Sequence, residues 1–396
     1  MNVMFDFDNL PDRHNTRSVK WDEAAADVLP LWVADMDFGT APCVQRAVMQ
    51  RALHPCYGYT LVPDAYYQSV IRWFWERHGW HIRREEILYT IGVVPAIAAI
   101  LRTVCQTGDQ VAMLSPVYNC FYSCIRNAGA TPALVSLERT MGDDGLLHYT
   151  IAWERLEAAL ADARTTVMLL CNPHNPVGRV WSTDELQHIA MLCARHHVMV
   201  ISDEIHNELT MPGTLYVPFG VAAADVEGLT YCVCTSPSKA FNIAGLQNAN
   251  IMVPDAELRR RIDRAINLNE TCDVNPFGVE ALMAAYDEGT EWLDALRQYV
   301  WKNYAYARAY LNKELPALRI ADMQATYLMW VDYSALSAMP SQELCLRLTD
   351  EAKVWLCAGA IYGMDGEHHL RINLATSRKV LEEALSRFTR WAKTNF

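Results

Sequence analysis

The chain has 396 residues, 52% of them hydrophobic, and a formal net charge of −12, which suits a large core divided between two domains. The acidity and the absence of a basic stripe argue against a nucleic-acid partner, and no apolar run reaches the length of a membrane span. Twelve cysteines occur without a C-x-x-C spacing. Most sit in apolar segments, so they read as reduced, buried thiols rather than disulfides or metal ligands.

In chain order, the opening "MNVMFDFDNLPDRHN" is acidic and lacks an apolar signal core, which predicts a cytoplasmic chain. From about Glu85 to Val253, short apolar runs alternate with amphipathic stretches. The runs are "QVAML", "TVMLLC", "HVMVIS", "TYCVCT" and "NANIMV". They are apolar throughout rather than alternating, as strands buried on both faces are. Thr183–His196, entered through Ser182, has helical spacing. After Pro276 the pattern is strongly helical. Short strands follow at "ATYLMWVD", "KVWLC" and "HLRINLA", and a last helix starts near Arg378. The expectation is an α/β chain with a mostly parallel central sheet covered by helices, plus a smaller α+β domain. Residues 50–288 would form the large domain, and 1–49 with 289–396 the small one.

Conspicuous polar residues follow three of the predicted strands. "TVMLLC" runs into "NPHNPVG" with Asn175, "HVMVIS" into "DEIH" with Asp203 and His206, and "TYCVC" into "TSPSK" with Ser236, Ser238 and Lys239. Ligands of open parallel sheets bind beyond such strand ends. Each residue also has a plain structural reading: Asp203 as a helix cap, "NPHNPVG" as a turn, His206 as a packing residue, Lys239 as a snorkelling surface lysine. One hypothesis accounts for all of them, a site for pyridoxal phosphate. That cofactor needs a lysine for its carbonyl, an acid for its pyridinium nitrogen, a donor to its phenolic oxygen and an anion site for its phosphate. Gly92, Val93 and Val94, with Pro95 opening a helix, supply candidate N–H groups for the phosphate, and Ser236 and Ser238 candidate hydroxyls. Tyr118 is a candidate stacking face.

Several phrases resemble the cystathionine β-lyase (MalY/PatB-type C–S lyase) family, fold-type I pyridoxal phosphate enzymes of the aminotransferase class I/II superfamily. They are "FDFDNLPDRHNTRSVKWD", "LPLWVADMDF", "YGYT", "LCNPHNPVGRVW", "VISDEIH", "SPSKAFNIAGL" and "LRINLA". The resemblance spans essentially the whole chain. It implies Lys239 as the Schiff-base lysine and proton-moving base, Asp203 on the ring nitrogen, and Asn175 on the phenolic oxygen and the substrate carboxylate. His206 stands where aminotransferases place a tyrosine, Tyr118 stacks on the ring, and Arg371 grips the α-carboxylate as a fork. Tyr59 implies a homodimer with shared sites, since its counterpart reaches into the neighbouring subunit.

The implied activity is cleavage of L-cystathionine or a related S-substituted cysteine to thiol, pyruvate and ammonia, within amino-acid metabolism and methionine biosynthesis. An aminotransferase of the same class is the competing enzyme reading. Binding of a transcription regulator, as some relatives do, is a second role from another class. Two positions depart from the family pattern. Gln247 stands where many aminotransferases carry a phosphate-binding arginine. "CAGAIYGMDG" lacks the expected Pro or Asn near Ala358 and Phe near Tyr362. Trp32, Tyr57, Tyr59, Tyr327 and Tyr362 are candidates for an aromatic rim or for core packing.

Overall fold

The apolar runs form the middle of one sheet. The computed structural model describes residues 5–268 and 272–396. Its main sheet contains β1 (Ile87–Thr90), β2 (Gln110–Ser115), β3 (Thr131–Ser136), β4 (Thr165–Cys171), β5 (Met199–Asp203), β6 (Tyr231–Thr235) and β7 (Ala249–Met252). Their spatial order is β1-β7-β6-β5-β4-β2-β3. Strands β2 to β6 pair in parallel, and β7 runs antiparallel to both of its neighbours.

The absence of alternation in the sequence has a direct cause. Along β4, Val167 and Leu169 point into one core cluster while Met168 and Leu170 point into the other. Both faces are covered, so both sets of side chains must be apolar. Each such side chain stabilises the fold by about 1.5–3 kcal/mol on burial.

Helix α1 (Pro42–Leu53) and α2 (Asp64–His78) precede the sheet, and α3 (Val93–Val104), α4 (Asn119–Asn127) and α5 (Thr183–Arg195) connect its strands. Helix α3 buries Ala96, Ile97, Ile100 and Leu101 against the face that carries Val167. Helix α5 opens on a reciprocal cap: Ser182 Oγ accepts the Glu185 N–H at 3.2 Å, and Glu185 accepts the Ser182 N–H at 2.8 Å. The helical tract after Pro276 is two helices, α6 (Pro276–Glu288) and α7 (Thr290–Glu314). They meet at Gly289, where the Phe241 ring and the Ala285 carbonyl leave no room for a Cβ.

A second sheet, order β8-β9-β11-β10, joins β8 (Arg319–Ile320), β9 (Leu328–Asp332), β10 (Cys357–Ala358) and β11 (His369–Asn373) in antiparallel fashion. Helix α8 (Arg378–Asn395) ends the chain. The single strand expected at "KVWLC" is split at Leu356. Val354–Trp355 pairs with Leu29–Pro30, and only Cys357–Ala358 joins this sheet. We propose the domain division expected from the sequence with one change. A cut at 49/50 would sever α1, which packs along α6, so the first junction belongs at Ala41. No helix among the described residues is long and apolar enough to cross a membrane.

Candidate active site

Strands β4, β5 and β6 are adjacent and in register, with Cys171 beside Asp203 and Asp203 beside Cys234. Their carboxyl ends therefore deliver Asn175, Asp203, His206 and Lys239 to one cavity of about 250 Å³. Arg371 enters from the small domain. It sits on β11, the middle of its sheet, between Trp330 of β9 and Cys357 of β10, a rigid mount. Tyr118, Val93 and Val94 line the cavity, as do Trp32, Val33, Ala34 and Tyr362.

The electrostatics are those of a dry, charged pocket. Lys239 Nζ donates to the Ala34 carbonyl at 2.7 Å. Burial, then the charge of Arg371, lowers its pKa to about 8, so about a tenth of the amine is free at pH 7 where an ordinary lysine has almost none. Asp203 accepts the Ile205 N–H at 3.1 Å. It has no cation within ion-pair distance among the described residues, and burial raises it to about 7. His206 is held neutral: burial, with Lys239 and Arg371 nearby, lowers it to about 3. Its Nδ1 has no hydrogen-bond partner. Burial pushes the Tyr118 hydroxyl well up.

Arg371 donates to the Trp32 carbonyl at 2.9 Å and to Asn175 Oδ1 at 3.4 Å, and its guanidinium lies 5.1 Å from the Tyr362 ring centroid. Its Nε is unpaired. The departure at Tyr362 is accommodated inward, with the buried hydroxyl 3.3 Å from Cys357 Sγ.

Some expected residues lie elsewhere. Ser236 Oγ donates to the Asn248 carbonyl at 2.6 Å and accepts the Ser238 N–H at 3.1 Å. Its proton is directed at the Asn248 carbonyl. Ser238 is half-buried outside the lining. Gly92 sits just before α3, which opens at Val93. Pro95 is thus the third helical residue rather than the first, still within the turn where its missing N–H costs nothing. Tyr59 is fully exposed and Tyr57 packs on Phe277. Tyr327 is buried and donates to the Ala34 carbonyl at 3.0 Å. Of the candidate rim aromatics, only Trp32 and Tyr362 line the cavity.

Sequence reasoning missed the segment Trp32–Phe38, which straps the site. Its carbonyls hold Lys239, Arg371 and Tyr327. It is bound in turn by Asn242, three residues after Lys239, and Asn373, two after Arg371. Asn242 donates to the Met36 and Phe38 carbonyls at 3.0 and 2.9 Å, and Asn373 to those of Val33 and Asp35 at 2.7 and 2.6 Å. The signal was present in "WVADMD", where two acids interrupt an apolar run and require buried partners.

The family model for aminotransferase class I and II matches residues 26–388. The cystathionine β-lyase PatB of Bacillus subtilis is 38% identical over 96% of this chain and 98% of its own length. Protein MalY of Escherichia coli is 34% identical over 97% of each. Cystalysin from Treponema denticola, solved with a pyridoxal 5′-phosphate cofactor, superposes with a TM-score of 0.93 at 32% identity, covering 100% of both chains. Fold, cavity and these likenesses agree: the chain belongs to the aminotransferase class I and II family, alongside the cystathionine β-lyases.

Proposed function

We propose that the protein is a pyridoxal phosphate-dependent carbon–sulfur β-lyase that cleaves L-cystathionine or a related S-substituted cysteine to a thiol, pyruvate and ammonia. The observation that carries this reading is the convergence of a depressed lysine, an unpaired buried acid and a buried arginine on one cavity, in a chain 38% identical to a cystathionine β-lyase.

The donor set fits the cofactor. The Asp203 carboxyl waits for a cation and suits the ring nitrogen, while the orphaned Nδ1 of His206 and the Asn175 amide suit the phenolic oxygen side. The unpaired N–H groups of Val93 and Val94 at the start of α3, beside Gly92, suit the phosphate. Gln247, in place of an arginine, leaves that duty to the backbone. Tyr118 offers its ring as a stacking face. When bound, pyridoxal phosphate supplies a carbonyl that condenses with amines and a ring that accepts electrons left at the substrate Cα.

The chain's own residues supply the rest. Arg371 binds the α-carboxylate as a planar fork, with Asn175 beside it, and so fixes which Cα bond faces Lys239. The Lys239 amine, depressed toward neutrality, takes the Cα proton. The apolar walls of Trp32, Val33 and Ile205 limit water around the reacting atoms. The exposure of Leu53, Tyr57, Tyr59 and Leu61, close together in the chain, supports a homodimer in which Tyr59 reaches the neighbouring site as a further substrate-binding and catalytic group. A cytoplasmic location accords with a fold rich in free thiols.

The purified holoenzyme is to be incubated with L-cystathionine and no 2-oxo acid. Release of pyruvate with homocysteine supports the lyase. Turnover only after a 2-oxo acid is added would instead make the protein an aminotransferase.

A further inference from the structure

The cavity does not close beyond Tyr118. An open groove of about 380 Å³ continues from it, sharing Asn119, Cys120 and Ile361 with the cavity wall. One side of the groove is a single face of α4: Asn119, Ser123 and Arg126 stand at i, i+4 and i+7, with Tyr122 between. The opposite wall is Ala360, Ile361 and Gly363.

The walls are tied at a set width. The Tyr122 hydroxyl donates to the Tyr362 carbonyl at 3.0 Å. It also lies against Gly363, whose φ of +108° and lack of a Cβ permit that approach. At the outer end Arg126 is exposed, and its guanidinium has neither an ion pair nor a hydrogen bond among the described residues. The Asn119 side chain at the inner end is likewise uncommitted. Ser123 donates to the Cys120 carbonyl at 2.9 Å and keeps its lone pairs free.

The dimensions match a thioether tail. Seven residues of helix place the Cα of Arg126 about 10 Å along α4 from Asn119. Helical side chains lean toward the N-terminus, so the guanidinium covers the turn nearer Ser123. Six single bonds, the path from the substrate Cα across sulfur to a second carboxyl carbon in L-cystathionine, span about 7 Å. Arg371 holds the α-carboxylate, so a tail leaving the cavity past Asn119 ends in reach of Arg126. Apart from Lys239 and Arg371, no cationic side chain among the described residues lines the cavity.

Resting on the C–S lyase reading, we propose that this groove is the distal subsite for the S-substituent. In it Arg126 pairs with a carboxylate at the far end, so the enzyme favours S-substituted cysteines whose tail ends in an acid over those with short neutral tails.

The test compares L-cystathionine with S-ethyl-L-cysteine on the wild-type holoenzyme and on Arg126→Gln, Arg126→Glu and Arg126→Lys. The measured quantity is the ratio of the two kcat/KM values. Arg126→Gln is expected to lower the cystathionine preference roughly fivefold, the worth of about 1 kcal/mol for a partly exposed pair. Arg126→Glu should lower it further and Arg126→Lys restore most of it. In the wild type the preference should fall as salt is added, and in Arg126→Gln it should not. An unchanged ratio in both Arg126→Gln and Arg126→Glu overturns the subsite while leaving the lyase reading intact. If the wild type releases pyruvate from neither substrate, the lyase reading fails. The same ratio, taken from dissociation constants read by cofactor absorbance, then decides the subsite separately.

Discussion

Lys20 is fully buried, with its Nζ 2.9 Å from the Asp37 carboxylate. Arg13 bridges the same carboxylate at 3.2 Å and Asp35 at 2.7 Å, and the Trp21 indole donates to Asp37 at 2.8 Å. A segment near the start of the chain is thereby clamped to the strap whose carbonyls hold Lys239 and Arg371. Removing one member of a buried pair leaves the other charged and unpaired, which costs far more than the pair is worth. Asp37→Asn is expected to lose about 3 kcal/mol of stability, read as a lower urea midpoint at unchanged slope. A loss below about 1 kcal/mol would mean that Asp35 alone satisfies Lys20.

The Asn373 amide donates to two strap carbonyls at once. Asn373→Ala takes this donor from the Val33 carbonyl and leaves the Asp35 carbonyl with Lys20 Nζ alone, at 3.3 Å, at a cost of about 1–2 kcal/mol. Asn373→Asp sets a carboxylate against two carbonyl oxygens, so it should be worse than alanine in both stability and kcat/KM. If Asn373→Asp were the milder of the two, the donor role assigned to this side chain would be refuted.

Asp203 gives the cofactor-free protein a pH signature. Its folded pKa of about 7 lies above the usual carboxylate value of about 3.9. Its contribution to stability is therefore complete below about 3.9 and is lost as pH rises through 7. Apo Asp203→Asn, neutral at every pH, should be more stable than the wild-type apoprotein at pH 8, by at most a few kcal/mol. The difference should shrink toward pH 4. A cation bound against Asp203 removes this penalty, so loading the wild type with pyridoxal phosphate should reverse the order at pH 8. Parallel unfolding profiles of the two apoproteins across this range would rule out the unpaired carboxylate.

Much of this was legible from residues alone, for a physical reason. Strands covered on both faces must be apolar at every position, and the polar residues that follow them are then conspicuous. That is how Asn175, Asp203, His206 and Lys239 stood out. The edge strands did not. β3 is half exposed and carries Pro132, while β1 has only four residues, so neither shows a continuous apolar run. The reversal of β7 leaves no local trace, because an apolar strand reads the same in either direction. The split of "KVWLC" at Leu356 depends on Leu29 and Pro30, more than three hundred positions away. The Lys20–Asp37 contact and the carbonyl partners of Lys239 and Arg371 are likewise long-range. Backbone acceptors carry no side-chain signature at all. Tyr59 illustrates the converse: its role was inferred through resemblance, and within one subunit it touches no part of the cavity.

The strap acts as a gauge block. Lys239 follows a strand of the main sheet and Arg371 lies within the second sheet, yet both are referenced to carbonyls two residues apart, Ala34 and Trp32. The gap between the amine and the guanidinium is thus metered by the backbone between those two carbonyls. The Val33 side chain can vary without altering that gap, whereas inserting or deleting a single residue between Trp32 and Ala34 would recalibrate it. The spacing of the two substrate-holding groups is therefore vulnerable to a change in chain length as well as to loss of the side chains that clamp the strap.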